Sequence, residues 1–276
     1  VSKAADDPGE GIIIHNDGAH FSAGVNLNVF LEMIEAGDWD EIDSFLHDFQ
    51  QAVAGLKYCK VPVIGTPSGL ALGGGYEVLA HCDCIVAHSN VVMGLVEAMV
   101  GVIPSGGGVK ETYLRCYRLS GSWQDAAWQT FNQIGYSTTA TSPDLAVKLG
   151  YFEPGRDRQV MNRDRLLNGA KVALKELQEG YSAPGIPQME LAGAETYDAM
   201  KKFLAEGREK GKFLDHDVTV AQAVARIVTG GEDGGGTVDE TEMFARERHE
   251  FISLSHTQET KARIAYLLDN GTPLRN

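Results

Sequence analysis

The chain has 276 residues, enough for a sizeable hydrophobic core in one large domain or one domain with an appendage. Its hydrophobic fraction of 43% and charged fraction of 22% are ordinary for a globular protein. The formal charge of −14 argues against a general nucleic-acid binder, which needs clustered lysine and arginine. It leaves room for an anionic small ligand held by a few local cations and helix N-termini. Because no apolar stretch reaches roughly 18 residues, we expect no membrane span.

The four cysteines are Cys59, Cys82, Cys84 and Cys116, and they lack the paired spacing of a zinc site. We interpret Cys82 and Cys84 as small apolar residues within or beside a buried strand. Unpaired cysteines fit a reducing compartment, so we expect a cytoplasmic location and no bound metal.

The first part of the chain alternates between strand and helix patterns. Residues 1–5 resemble the end of a helix, and residues 11–15 form a short apolar run typical of a buried strand. A glycine-bearing loop that contains residues 21–26 follows, and Asp38 resembles the N-cap of a helix whose apolar face runs from Trp39 to Leu56. Residues 61–65 predict the next buried strand.

Residues 68–80 contain Gly73, Gly74 and Gly75, which we interpret as a tight turn that opens a helix. A strand at 84–87, an extended piece at 91–93, a loop carrying Glu97 and a helix from 104–108 to Arg118 follow. This order predicts an α/β fold with parallel strands.

From about Ser120 the pattern becomes mostly helical, and we predict a core domain at 1–119 and a helical region at 120–276. The helices are expected near residues 123–134, 164–178, 240–256 and 261–268. Within this region Asp215, His216 and Asp217 form a polar cluster, for which we predict a helix-capping or surface role.

Two backbone amides are candidates for binding a carbonyl oxygen. A helix N-terminus presents unpaired N–H groups, and glycine lets a ligand approach, so the Gly74 N–H is a candidate oxyanion donor. The alternative is a glycine turn used only for close packing. The loop bend at Gly24 points to the Val25 N–H as the second donor, and two such donors form an oxyanion hole.

Two glutamates are candidates for acid–base chemistry. Glu77 lies in the first turn of the predicted helix, where it can instead serve only to complement the helix dipole. Glu97 lies in the apolar run 95–100, which predicts a carboxylate that is buried with partners or lines a cavity. A surface bend with Glu97 turned to water is the alternative.

Three segments together resemble the crotonase superfamily, the enoyl-CoA hydratase/isomerase fold. They are residues 21–27 (FSAGVNL), 72–77 (LGGGYE) and 97–107 (EAMVGVIPSGG). The resemblance implies a crotonase-like spiral of ββα units with an extended helical C-terminal region. It also implies an oxyanion hole at Val25 and Gly74 and catalytic carboxylates at Glu77 and Glu97.

The same resemblance implies a binding site for an acyl-CoA thioester, with coenzyme A as part of the substrate and no separate cofactor. The expected substrate-binding residues are Ser22, Ala23, Val25, Asn26, Leu27, Asn28, Gly73 and Gly74. Members of the superfamily usually assemble as trimers or dimers of trimers through C-terminal helices, so we expect a homo-oligomer.

The later part of the chain is similar to the hydratase-like end of large bacterial 3-hydroxyacyl-CoA dehydrogenases of fatty-acid β-oxidation. Residues 162–167, 215–217, 247–251 and 273–276 carry that similarity. Relative to such proteins the chain resembles a C-terminal fragment, without the first strands of the crotonase domain. NAD is expected only if a dehydrogenase half precedes it, and association with that half is the alternative to a homo-oligomer.

Hydration of a trans-2-enoyl-CoA to a 3-hydroxyacyl-CoA is the function these features predict. The alternatives are an enoyl-CoA isomerase, in which one carboxylate shuttles a proton, and a non-catalytic domain that holds a multienzyme assembly together. Two carboxylates favour hydration, because isomerases of the superfamily commonly use one.

Overall fold

The computed structural model describes residues 9–276, so the helix end predicted at residues 1–5 lies outside the described residues. The strands, numbered in chain order, are β1 Ile12–Ile14, β2 Val63–Gly65, β3 Leu70–Leu72, β4 Cys84–His88, β5 Val92–Gly94, β6 Thr139–Ala140, β7 Arg158–Val160, β8 Gln188–Glu190 and β9 Thr237–Asp239.

The α-helices are numbered in the same way. They are α1 Leu27–Ala36, α2 Trp39–Lys57, α3 Gly74–Ala80, α4 Gly108–Ser120, α5 Trp123–Gly135, α6 Pro143–Lys148, α7 Leu166–Gln178, α8 Gly193–Glu209, α9 Asp215–Thr229, α10 Glu240–Ser255 and α11 Gln258–Asn270. Short 3-10 helices cover Glu97–Val100, Arg163–Arg165 and Gly231–Asp233. Among the described residues, none of these helices combines the length and the apolar character needed to cross a bilayer.

The described chain divides into two compact units, each built from three stretches of sequence. The first unit comprises residues 9–24, 48–94 and 139–186, and the second comprises 25–47, 95–138 and 187–276. The domain boundary that the sequence suggested between residues 119 and 120 stays a prediction.

The first unit is built on strand pairing. Strands β1, β2, β4 and β7 form a parallel sheet, in which Ile13 of β1 pairs with Ile64 of β2. Strands β3 and β5 are also parallel, and β6 joins β5 in the antiparallel sense. Helix α7 covers the parallel sheet, because Ile64 and Val86 pack into one buried cluster with Leu166 of that helix. The expectation of parallel strands is confirmed; β2 is buried as predicted, whereas all three residues of β1 are only half-buried.

The buried cysteines behave as the sequence indicated. Cys84 begins β4 and is 1% exposed, and Cys82 lies in a buried cluster with Leu56 and Val63. Burial in these apolar surroundings raises the pKa of the Cys84 thiol to about 12. The thiol is therefore neutral near pH 7 and packs as a small apolar group.

The second unit is mainly helical, and local side-chain caps begin several of its helices. Ser122 accepts from the Asp125 N–H at α5, Asp239 accepts from the Glu242 N–H at α10, and Thr257 caps α11 in the same way. Such caps satisfy amides that have no partner inside the helix. The helices predicted near residues 123–134, 240–256 and 261–268 are confirmed.

The sequence missed several elements. No element was predicted between residue 26 and Asp38, where the structure has helix α1, which Asn26 caps by accepting from the Asn28 N–H and which ends at Gly37 with φ 74°. The Asn26 cap and the terminal Gly37 are together a sequence signal for a helix. Strand β3, only three residues long, was hidden inside the glycine-rich segment. Helices α6, α8 and α9 were not individually predicted within the helical region.

Candidate active site

Gly73–Gly75 form the entrance to helix α3 in the first unit. Gly73 is the N-cap with φ 55°, its N–H donates to the Gly94 carbonyl at 2.9 Å, and its own carbonyl accepts from the Tyr76 and Glu77 amides. Gly74 is the first residue of the helix, so its N–H has no acceptor inside the helix. Within the described residues it donates to no carbonyl. The structure therefore leaves this amide available to an acyl oxygen.

Ser22 holds the upstream glycine segment beside this corner. Its N–H donates to Leu70 O at 3.0 Å, and Leu72 N donates to Ser22 O at 3.0 Å, so residue 22 extends the pairing of β3. A Cβ on Gly75 would lie 2.7 Å from the Ser22 Cβ, closer than real Cβ contacts allow. A Cβ on Gly24, where φ is 95°, would lie 3.8 Å from the Gly74 nitrogen. Glycine is thus required at residue 75 by the lack of space and favoured at residue 24 by its positive φ.

Glu77 lies at the same corner. It is 3% exposed, and its Oε2 is 3.9 Å from the position that a Gly74 Cβ would occupy. A carboxylate in the first turn of a helix is stabilised by the helix dipole, which is the non-catalytic role that the sequence left open for Glu77. Glu77 therefore approaches Gly74 on the side where a side chain at that residue would project.

Val25 and the residues after it start the second unit. The Val25 side chain is 45% exposed, and Asn26 to Asn28 form the cap and first turn of α1. Val25 directly follows Gly24 in sequence. Its role as the second oxyanion donor, and contact of coenzyme A with residues 22, 23 and 25–28, stay predictions.

Glu97 opens the 3-10 helix Glu97–Val100 in the second unit. The residue is half-buried and its Oε2 atom is buried, which disfavours the surface bend. Gly101 ends the helix with φ 84°, and its N–H donates to Ala98 O at 3.2 Å. Residues 97–101, which we call the Glu97 segment, are therefore a single tight turn of backbone.

Comparison with known proteins agrees with these features. Residues 2–117 match the model of the enoyl-CoA hydratase/isomerase family. The chain is 33% identical over 269 residues to the probable 3-hydroxyacyl-CoA dehydrogenase of Bacillus subtilis (strain 168), covering 97% of this chain and 34% of that protein. It is 42% identical over 115 residues to a Rickettsia felis protein provisionally designated a fatty acid oxidation complex trifunctional enzyme, covering 42% of this chain and 16% of that protein.

Solved structures with the same fold include enoyl-CoA hydratases of low sequence identity. That of Bacillus halodurans has a TM-score of 0.60 at 20% identity and covers 93% of this chain and 81% of that one. That of Rhodobacter sphaeroides 2.4.1 has a TM-score of 0.65 at 15% identity and covers 100% and 81%. The chain has the crotonase fold and resembles the crotonase superfamily in sequence.

Within this crotonase fold, the structure brings part of the predicted site together. Ser22, Gly73, Gly74 and Glu77 lie at one corner of the first unit. Glu97 belongs to the second unit, together with the segment from Val25 to Asn28. That both carboxylates face one acyl group stays a prediction. The chain spans about a third of the length of the Bacillus subtilis relative.

The cluster at the start of α9 differs from the expectation. Asp217 does cap the helix, because it accepts from the Leu214 N–H at 3.1 Å. Its pKa is lowered: burial alone would raise it, but the Leu214 N–H and the guanidinium groups of Arg263 and Arg275 outweigh burial. His216 is 3% exposed, so the surface alternative is wrong for this residue.

Arg263 and Thr260 on helix α11 are functional candidates that the sequence analysis missed. Arg263 Nη1 donates to Ala98 O at 3.1 Å, and Thr260 Oγ1 donates to Gly101 O at 2.7 Å. Both side chains therefore contact backbone carbonyls of the Glu97 segment, although their helix lies about 160 residues later in the sequence. Nothing near Thr260 or Arg263 in the sequence indicates these contacts.

Proposed function

We propose that the chain is an enoyl-CoA hydratase that adds water to a trans-2-enoyl-CoA and releases a 3-hydroxyacyl-CoA. The observation that carries the proposal is the available Gly74 amide at the start of α3 with the Glu77 carboxylate beside it. An amide at a helix N-terminus stabilises developing negative charge on an acyl oxygen, and a neighbouring carboxylate accepts a proton.

In the proposed reaction, the Val25 and Gly74 amides bind the thioester oxygen as enolate character develops. Each such donor typically contributes about 2.7–4 kcal/mol of transition-state stabilisation. Glu77 takes a proton from water as its oxygen attacks C3, and Glu97 delivers a proton to C2. The thioester supplies the acidity at C2, so the mechanism requires no separate cofactor.

A cavity of about 410 Å³ in the second unit supports an apolar acyl group as part of the substrate. Ala98 and Met99, which directly follow Glu97, line it together with Phe131, Phe203 and Phe213. Lys212, Asp217, Arg263 and Arg275 also line the cavity, so only its apolar and aromatic part favours an alkyl chain. We infer that the acyl chain lies here, so enoyl-CoA substrates longer than four carbons should be accepted.

The test measures loss of ultraviolet absorbance from a conjugated enoyl-CoA. Glu77→Gln and Glu97→Gln should each lower kcat by at least about 100-fold, because general acid–base groups contribute about 10²–10⁴-fold. Binding of a saturated acyl-CoA should change little. Glu209→Gln, at an exposed position of α8, is the matched control and should keep full activity.

The outcomes separate the hydratase from its rivals. Near-full activity of either glutamine variant removes that residue from the mechanism. Turnover of a 3-enoyl-CoA to the 2-enoyl isomer without formation of a 3-hydroxyacyl-CoA would identify an isomerase. A folded wild-type chain that consumes neither substrate would point to a non-catalytic assembly domain. A homo-oligomer, trimeric or a dimer of trimers, stays a proposal for this chain, and NAD is proposed only if a dehydrogenase half accompanies it.

A further inference from the structure

The Glu97 segment is too short to fix its own conformation. Its internal hydrogen bonds include Met99 N to Val96 O at 3.0 Å and Gly101 N to Ala98 O at 3.2 Å. A single 3-10 turn has poorer hydrogen-bond geometry than an α-helix and is used only in short pieces. What holds the carboxylate of Glu97 in one direction must therefore include contacts from outside the turn.

Arg263 supplies one of these contacts. The side chain is 3% exposed, and its Nη1 donates to the Ala98 carbonyl at 3.1 Å. Its Nη2 donates to Asp217 at 2.7 Å and its Nε donates to the Asn276 side chain at 2.7 Å. A planar guanidinium with partners on three sides has little freedom to rotate. The Ala98 carbonyl is therefore held by a rigid, charged donor.

Thr260 supplies the second contact. Its side chain is fully buried, and its hydroxyl donates its one proton to the Gly101 carbonyl at 2.7 Å. The 2.9 Å contact between His216 Nε2 and the same hydroxyl oxygen therefore assigns the proton to Nε2, with Thr260 as acceptor. Only glycine fits at residue 101, because a Cβ there would lie 2.8 Å from both His216 Nε2 and Thr260 Oγ1.

These contacts lie at both ends of one turn whose first residue is Glu97. We propose that Arg263 and Thr260 are positioning residues, which fix the Glu97 carboxylate for proton delivery by holding the carbonyls of Ala98 and Gly101. The inference rests on the proposed function, in which Glu97 donates to C2. A misplacement of about 1 Å far from the chemistry can cost about 100-fold in rate.

The first experiment compares Arg263→Lys with Arg226→Lys. Arg226 is a paired arginine of the second unit, which binds Glu250 through Nε at 2.6 Å and Nη2 at 2.5 Å, and among the described residues it makes no hydrogen bond to the Glu97 segment. Lysine cannot reproduce the forked donor geometry. We expect Arg263→Lys to lower kcat by about 10- to 100-fold with KM within about threefold, and Arg226→Lys to leave both unchanged.

The second experiment repeats the substitution in the Glu97→Gln background. If Arg263 acts through the Glu97 carboxylate, the double variant should be no slower than Glu97→Gln alone. An equal fold-loss in both backgrounds would show a merely structural effect and overturn the proposal, as would full activity of Arg263→Lys. If Glu97→Gln itself is fully active, the proposed function fails instead, so the two failures are distinguishable.

Two variants of Thr260 provide a second test if Arg263→Lys folds poorly. Thr260→Ser retains the hydroxyl donor and should keep kcat within about threefold of the wild type. Thr260→Val removes the donor with little change of shape and should lower kcat by about 10-fold. Equal kcat values in two variants with matching circular dichroism would overturn the role of Thr260.

Discussion

The two units hold their candidate catalytic glutamates by different means. In the first unit, Glu77 follows a turn that backbone hydrogen bonds fix, from Gly73 to Gly94 and from Ser22 to β3. In the second unit, side chains of α11 hold the turn that begins with Glu97, across a sequence separation of 159 and 165 residues. The first arrangement depends on glycines within one short motif, and the second depends on polar residues far along the chain.

Both units bury charged groups, but in different settings. In the first unit, parallel strand ladders pair backbone groups, and the fully buried side chain of Asp157 accepts from the Ile85 N–H of β4 at 2.9 Å and binds Arg156 at 3.0 Å. The second unit buries charges among its helices: Lys110, fully buried, binds Glu111 at 2.6 Å and Glu240 at 2.5 Å. Buried ion pairs are specific in geometry but costly to break. We therefore expect loss of the buried Lys110 to cost far more stability than loss of an exposed lysine.

The largest expected effect tests that expectation. Lys110→Met should lower the free energy of unfolding by about 3–5 kcal/mol, because removing one partner leaves buried carboxylates without their cation. Denaturant unfolding monitored by circular dichroism measures the change. Lys171→Met on α7 of the first unit, where the lysine is exposed, is the control and should change stability by less than about 0.5 kcal/mol. Similar losses in the two variants would show that the buried ion pairs of Lys110 do not stabilise the fold.

A smaller effect is expected from adding one methyl group at the glycine that each site requires. Gly75→Ala should displace Ser22, and Gly101→Ala should displace Thr260 and place alanine at φ 84°. Overpacking typically costs about 1–3 kcal/mol, and left-handed backbone adds a similar amount, so Gly101→Ala should be the more destabilising.

The hydratase activity of the Gly75→Ala and Gly101→Ala variants tests the same two sites. Both should lose hydratase activity, since each moves the backbone that carries a candidate catalytic group. Gly185→Ala is the matched control, because a Cβ at that position meets no atom within 4 Å. Wild-type turnover in folded Gly75→Ala would show that the close approach to Ser22 is not required for catalysis.

Features set by a short local motif could be predicted from the sequence, and features set by contacts between distant residues could not. The Glu77 corner was predictable, because three glycines before a glutamate specify backbone approach and a helix start within a few residues. Helix α1 was missed although its Asn26 cap and Gly37 end were present, so a local signal was overlooked. Arg263 was not predictable, because nothing near it in sequence indicates which carbonyl it meets about 160 residues earlier. Long-range packing decides such contacts.

The smallest expected effect is a pH dependence that belongs to the second unit. Burial, and then the nearby positive charge of Arg263, lower the pKa of His216 below its ordinary value of about 6.5, although Glu259, Gly101 and Asp217 oppose the shift. The unfolded chain therefore binds a proton at His216 more tightly than the folded chain does. This contribution to stability is complete above about pH 6.5 and is lost as the pH falls from there toward the lowered pKa.

The slope from one such group cannot exceed about 1.4 kcal/mol per pH unit. His216→Gln should remove this component, so the difference in unfolding free energy between wild type and variant should shrink as the pH falls from 7 to 5. His249→Gln, at an exposed position of α10, should track the wild type across that range. A constant difference between wild type and His216→Gln would mean that His216 titrates alike in the folded and unfolded chains.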